Sequence, residues 1–326
     1  MLSCRPVGSS RRLGRTKGSP LATAPKLFGR FDVLQMMSRP AQGFGSGVAI
    51  LAAAAMLLAS ALVQAQSMDV GGMQGLSTVE RHRLRSDSLE TTYTVLIRIP
   101  ESVTEGAEGA ERLPVVYLLD GGATFPALAG YYRYLFWGRE LPELTVVGIS
   151  YGTSDSRNGN QRGRDFTAPS SEREFWGGVG PFLDFVESEV FPLVESRVPV
   201  DAGRRVLFGQ SLGGQAVIWA ALNRPGMFWG HIASNPALHR NLEAFLVAPS
   251  PVPASSKSPS PRPRIFVSSA SDDETRFREP AVRWMEHWSS VPHSWTLSTR
   301  TLEGHGHFSA LPLAFREGLR WLFADP

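Results

Sequence analysis

Cysteine is nearly absent from this 326-residue chain; the one present is Cys4. It lies in an amino-terminal stretch that reads as a leader. The remainder therefore has no disulfide, no thiol nucleophile and no thiolate metal ligand. Internal repeats are absent too. Long apolar runs are scarce, and the conspicuous one, residues 48–63, is Ala/Leu-rich and uncharged. It is short of the ~20 apolar residues that a membrane-spanning helix needs. Val63-Gln64-Ala65 follows it, with small residues where signal peptidase requires them. Export with cleavage after Ala65 is the expectation, and anchoring by residues 48–63 the alternative. The segment before the run is longer than an ordinary signal peptide, so translation starting at Met36 or Met37 would give a more compact one.

An excess of charge is also missing where it would matter. The formal net charge is +3, but residues 1–65 hold eight Lys/Arg against one acid, Asp32. Removing them leaves 25 basic and 29 acidic residues. The basicity belongs to the leader, which argues against nucleic acid as a partner and against stable membrane insertion after cleavage.

Residues 66–326 read as one α/β domain. Eight apolar runs have strand character: Val79–Leu84, Thr92–Ile99, Pro114–Leu119, Leu144–Ser150, Arg204–Phe208, Trp229–Ser234, Arg264–Ser269 and Trp295–Leu302. From the third onward they are apolar throughout, as parallel strands covered on both faces must be. Helical spacing appears in Gly213–Asn223, in Phe182–Val198 with a kink expected at Pro192, and in Leu311–Phe323. The alternation predicts a mostly parallel central sheet of about eight strands with helices on both faces. Residues 101–111 read as a surface hairpin connection, and the Pro/Ser-rich 248–264 as an insertion that cannot build a core.

Gly-x-Ser-x-Gly occurs twice, at Gly209-Gln210-Ser211-Leu212-Gly213 and at Gly148-Ile149-Ser150-Tyr151-Gly152. The pattern carries a nucleophilic serine only on a tight turn from a buried strand into a helix. Ser211 has the strand before it and the helix after it. Ser150 has a strand, then the polar Gly152–Gly159, and reads as a strand-end turn residue.

A serine needs a base, a carboxylate to orient that base, and N–H donors for the developing oxyanion. On hydrolase sheets the partners follow in the order serine, acid, histidine. His82 lies in the first strand and His231 reads as a packed strand residue. His239, His287 and His293 lie in helical or connecting segments. His305 and His307 occupy the loop before the last helix; two positions apart, they point oppositely, and one can serve. A metal site on His305 and His307 lacks a third ligand. After the seventh strand come Asp272, Asp273 and Glu274; Asp273, third after Ala270, is where a small-x-x-Asp turn places the acid. The donors expected are the N–H groups of Leu212 and of Gly121 and Gly122 in the turn after the third strand, with Asp120 structural. Arg157, Arg162 and Arg164 are candidates for an anionic substrate, with a solvated loop the preferred reading. No cofactor is expected.

Several segments together resemble the "putative esterase" branch of the α/β hydrolases, which includes esterase D-like and enterochelin (trilactone siderophore) esterases. They are Pro114–Gly121, Val146–Ile149, Arg164–Thr167, Phe182–Phe185, Gly209–Gly214 and Gly318–Phe323, within residues 80–326. The resemblance implies an α/β-hydrolase fold and a serine esterase acting on a small-molecule ester. It favours His307 over His305, because His307-Phe308-Ser309 precedes Pro312-Leu313-Ala314 as His-x-Ser does in that family. The family often has His at Gln210 and Ser-Pro-Ser at Asn235-Pro236-Ala237; these departures bear on the substrate pocket. An acyltransferase using the same triad, and a non-enzymatic binding protein of the same fold, are the alternatives.

Overall fold

The computed structural model describes residues 78–104, 111–171, 173–247 and 262–324. The stretch read as a leader, its apolar run and most of the Pro/Ser-rich stretch lie outside the described residues. Contacts divide the chain into Met1–Ser67 and Met68–Pro326, and everything described falls in the second unit.

Eight strands form one sheet in the order β1-β2-β4-β3-β5-β6-β7-β8. They are β1 (Val79–Ser86), β2 (Thr91–Arg98), β3 (Leu113–Leu118), β4 (Thr145–Ser150), β5 (Val200–Gln210), β6 (Gly230–Ser234), β7 (Arg264–Ala270) and β8 (Thr296–Leu302). β1 and β2 run antiparallel, β2 pairs antiparallel with β4, and every pair from β4 to β8 is parallel. The fully apolar runs are the central strands: each residue of β3 and β4 is buried. Residues 101–111 are not a hairpin connection. β4 lies between β2 and β3, so the chain leaves β2 through the one-turn helix Glu101–Thr104, whose Glu101 pairs with Arg133 at 3.0 Å.

Two layers of helix cover the sheet. Neighbouring side chains of a strand point to opposite faces, so Val115 and Tyr117 join one core while Val116 and Leu118 join the other. Packed on the first face are helix α2 (residues 179–197), helix α3 (Leu212–Asn223) and helix α4 (Thr275–Ser290). Helix α1 (Gly121–Trp137) and helix α5 (Leu311–Phe323) cover the second. α2 runs over Val179–Phe185, a π-helical Val186–Val190, and Phe191–Arg197. The expected break at Pro192 takes this form: the wider turn accommodates a residue with no N–H to donate. α1 was not apparent in the sequence, because Gly121-Gly122 and Pro126 are helix-breaking signals.

Both ends of the stretch around residues 248–261 are held. Before it, the carbonyl of Phe245 accepts the indole N–H groups of Trp284 (3.1 Å) and Trp288 (2.9 Å). After it, the Arg264 guanidinium donates to the carbonyls of Leu322 (2.9 Å) and Trp321 (3.2 Å) and lies over the rings of Trp229 and Trp321.

Candidate active site

β5 and α3 are joined by a single residue, Ser211, at φ 59° and ψ −119°. For a residue with a Cβ this backbone costs on the order of 1–3 kcal/mol, a strain that surrounding structure must impose. Here the sheet fixes one side and the helix the other. The Ser211 N–H donates to Ser234 O (3.0 Å), and its carbonyl accepts from Gln215 (3.0 Å) and Ala237 (2.9 Å). The turn closes so tightly that a Cβ on Gly209 would stand 2.3 Å from the Gly213 carbonyl oxygen. Only glycine fits there.

Ser211 lines an open cavity of about 1070 Å³ together with His307. The His307 Nδ1–Asp273 Oδ2 separation is 2.7 Å, and the two side chains are 11% and 1% exposed. In the neutral ring, with Nδ1 donating to the carboxylate, Nε2 is the acceptor, as a base needs. Asp273's other oxygen accepts the Glu274 N–H (2.7 Å). The neighbouring acids point elsewhere: Asp272 bonds Ser271 Oγ (2.8 Å) and Glu274 pairs with Arg276 (2.8 Å), both exposed. His305 is turned away, with Nδ1 3.2 Å from the Ser309 carbonyl. The His307 ring lies against Phe277, with centroids 4.9 Å apart, and edge-on to Phe308.

Leu212, Gly121 and Gly122 begin α3 and α1. The first N–H groups of a helix have no acceptor within it, and the helix dipole favours negative charge beside them. The two helix starts adjoin at the carboxyl ends of β5 and β3, where Gly213 packs against Leu119 and Asp120. Gly122 lines the cavity. Gly121 and Leu212 are not among its lining residues; a Cβ on Gly121 would meet Ile149 N at 2.5 Å, so that residue is packed hard on β4.

Asp120, read as structural, precedes α1 at φ 54° and takes a two-pronged ion pair from Arg162, both contacts 2.8 Å, at the cavity wall. Arg164 bonds the fully buried Asp165 (2.6 Å), and Arg157 pairs with Asp155 at the surface. A solvated loop thus describes Arg157 but not Arg162 or Arg164. Asp165 also accepts from Tyr93 (2.7 Å) and from Tyr151 (3.0 Å), which lines the cavity. Burial, with Asp165 adding to it, pushes both phenols well above their ordinary range. Ser150 also lines the cavity, its Oγ accepting the Gly152 N–H at 3.0 Å. His231 is wholly buried in β6.

Two residues went unread as parts of this arrangement. Gln210 and Asn235 both donate side-chain N–H groups to the His307 carbonyl, the Asn235 bond at 3.0 Å. The available signal was that both stand where the chain departs from the family pattern. Among the described residues no three His, Cys, Asp or Glu gather as a metal site, and no helix is long and apolar enough to cross a membrane.

The chain is 31% identical over 191 residues to the ferri-bacillibactin esterase BesA of Bacillus subtilis, a match covering 52% of this chain and 63% of that protein. It is 31% identical over 170 residues to the siderophore triacetylfusarinine C esterase of Aspergillus fumigatus, covering 51% and 58%. The matches thus span less than two thirds of those relatives. Among solved structures, the siderophore hydrolase EstB of Aspergillus nidulans superposes with a TM-score of 0.64 at 22% identity, over 77% of this chain and 97% of that one. The fold is that of the α/β hydrolases. Residues 86–305 match the family model described as "Putative esterase". With that model covering most of the chain and a strained serine between β5 and α3, the chain belongs to the "Putative esterase" family.

Proposed function

We propose that this protein is a serine hydrolase that cleaves carboxylic esters through an acyl-enzyme on Ser211. The observation that carries the reading is the carboxylate-bonded His307 ring in the cavity wall shared with the strained Ser211. In the first half-reaction Ser211 Oγ attacks the ester carbonyl and its proton passes to His307. The N–H groups of Leu212 and of Gly121 or Gly122 receive the oxyanion. Collapse expels the alcohol, which takes the proton from His307, and leaves the acyl group on Ser211. Water then attacks, giving its proton to His307; the acid departs and the proton returns to Ser211. Asp273 holds the ring and stabilises its charged form.

The substrate class proposed is a siderophore-type ester. The relatives named for such esters support it, as does a wide cavity edged by Arg81, Arg162 and Arg276 with Phe277 and Phe308 beside the histidine. The leader's apolar run and Val63-Gln64-Ala65 support export. The test is hydrolysis of p-nitrophenyl acyl esters, triscatecholate trilactones and feruloyl or acetyl sugars by the purified protein, with Ser211→Ala beside it. Turnover of trilactones well above the sugar esters is expected. Equal activity in Ser211→Ala would overturn the mechanism, and preference for sugar esters the substrate class.

A further inference from the structure

The proposed nucleophile, base and acid stand on three separate loops after three different elements, and their register has to be held by something. We propose that Asn235, together with Gln210, is a positioning pair that holds the His307 and Asp273 loops against Ser211. The inference rests on the triad reading above.

Asn235 follows β6, which lies between the strand that leads to Ser211 and the strand that leads to Asp273. It is 2% exposed and adopts φ 42°, a left-handed backbone that Asn tolerates better than other residues with a Cβ. Each of its polar arms reaches a different part of the site. The backbone N–H donates to Ser268 O (2.8 Å) in β7. The side-chain Oδ1 accepts the Ala270 N–H (2.7 Å), and Ala270 opens the turn whose carbonyl takes back the Asp273 N–H (3.4 Å). The side-chain Nδ2 donates to the His307 carbonyl (3.0 Å). Gln210, the residue before Ser211, brings a second donor to that same carbonyl.

The neighbours of Asn235 complete the connection. Ser234 O accepts from the Ser211 N–H (3.0 Å), and the Ala237 N–H donates to Ser211 O (2.9 Å). Segment 234–237 is thereby bonded to the Ser211 backbone, to the start of the Asp273 turn and to the His307 backbone. Two amide donors on one carbonyl fix the origin of the His307 side chain; the Asp273 bond fixes the ring's rotation. A placement error of about 1 Å at reacting groups can cost 10²-fold in rate. Losing this pair should therefore lower kcat and leave KM nearly alone.

Two substitutions separate the parts. Asn235→Asp keeps the left-handed backbone and the acceptor for Ala270 but replaces the donor to His307 with a carboxylate oxygen. Asn235→Gly keeps the backbone freedom and removes both side-chain bonds. The full chain carrying each is assayed for p-nitrophenyl butyrate hydrolysis and for the rate of fluorophosphonate labelling, with Ser211→Ala beside them and folding checked by thermal melt. The expected result is a kcat lower by about 10- to 100-fold, KM within about threefold, and labelling slowed in parallel. A folded variant with kcat and labelling within about twofold of the parent, or a loss carried by KM alone, overturns the assignment while an inert Ser211→Ala leaves the triad reading standing. Activity surviving in Ser211→Ala overturns the triad reading itself. Should neither Asn235 variant fold, Gln210→Met, which removes the other donor to the same carbonyl, decides by the same criterion.

Discussion

Ser150 closes β4 and Ser211 follows β5; both stand between flanking glycines in the same motif, and both line one cavity. After Ser211 the chain turns through φ 59° straight into α3, with Gly209 pressed on the Gly213 carbonyl. After Ser150 it runs into a loop, and the hydroxyl is spent on the Gly152 N–H two residues on. The difference lies in the backbone that follows the serine rather than in the five letters. A helix start behind the hydroxyl supplies N–H donors and a carbonyl-bonded frame, and a loop supplies neither.

Substituting the two serines should break the symmetry most sharply. Ser211→Ala is expected to lose on the order of 10⁴-fold or more in kcat on p-nitrophenyl esters with its thermal melt unchanged, whereas Ser150→Ala should lose less than about tenfold. A larger loss in Ser150→Ala would reverse the assignment. The acidic loop gives the next test. Asp273→Asn should cost about 10²- to 10⁴-fold in kcat, and Asp272→Asn or Glu274→Gln no more than about threefold, because only Asp273 meets the His307 ring.

Stability reads the same contrast on a smaller scale. Gly209→Ala drives a methyl into the Gly213 carbonyl and should destabilise by about 2–4 kcal/mol in urea denaturation. Gly152→Ala, in the other motif, meets only Thr94 Oγ1 at 3.3 Å and pays for a backbone at φ 72°, about 1 kcal/mol. The smallest effect at neutral pH concerns β6, beside the Ser211 strand. Burial pushes the His231 imidazole from 6.5 down to about 4. Between those values the unfolded chain binds the proton that the folded chain refuses, so stability falls as pH drops from 6.5 to 4. The span is worth roughly 3 kcal/mol at most. Urea midpoints at pH 7 and 4.5 should converge in His231→Met; an unchanged pH dependence would remove His231 as its source.

The features that the sequence carried plainly are those written in neighbouring residues. Buried strands announce themselves as apolar runs, and the Ser211 elbow as a strand, a Gly-x-Ser-x-Gly and a helix in series. α1 was hidden because its start must be glycine-rich to approach β4, and glycine pairs are also what loops are made of. The bonds from Gln210 and Asn235 to His307 join residues 97 and 72 positions apart, and nothing local marks an amide whose partner is that distant. Arg162 and Arg164 looked like solvated charges for the same reason: Asp120 lies 42 residues before the first, and the second also donates to the Leu89 carbonyl and the Thr91 hydroxyl, 75 and 73 residues before it.

The two indoles on the Phe245 carbonyl and the Arg264 guanidinium on the end of α5 have a practical consequence. Each terminus of the stretch between them is fastened to the domain without help from the other. An insertion between the two fastenings is therefore expected to leave both in place, read as an unchanged thermal melt.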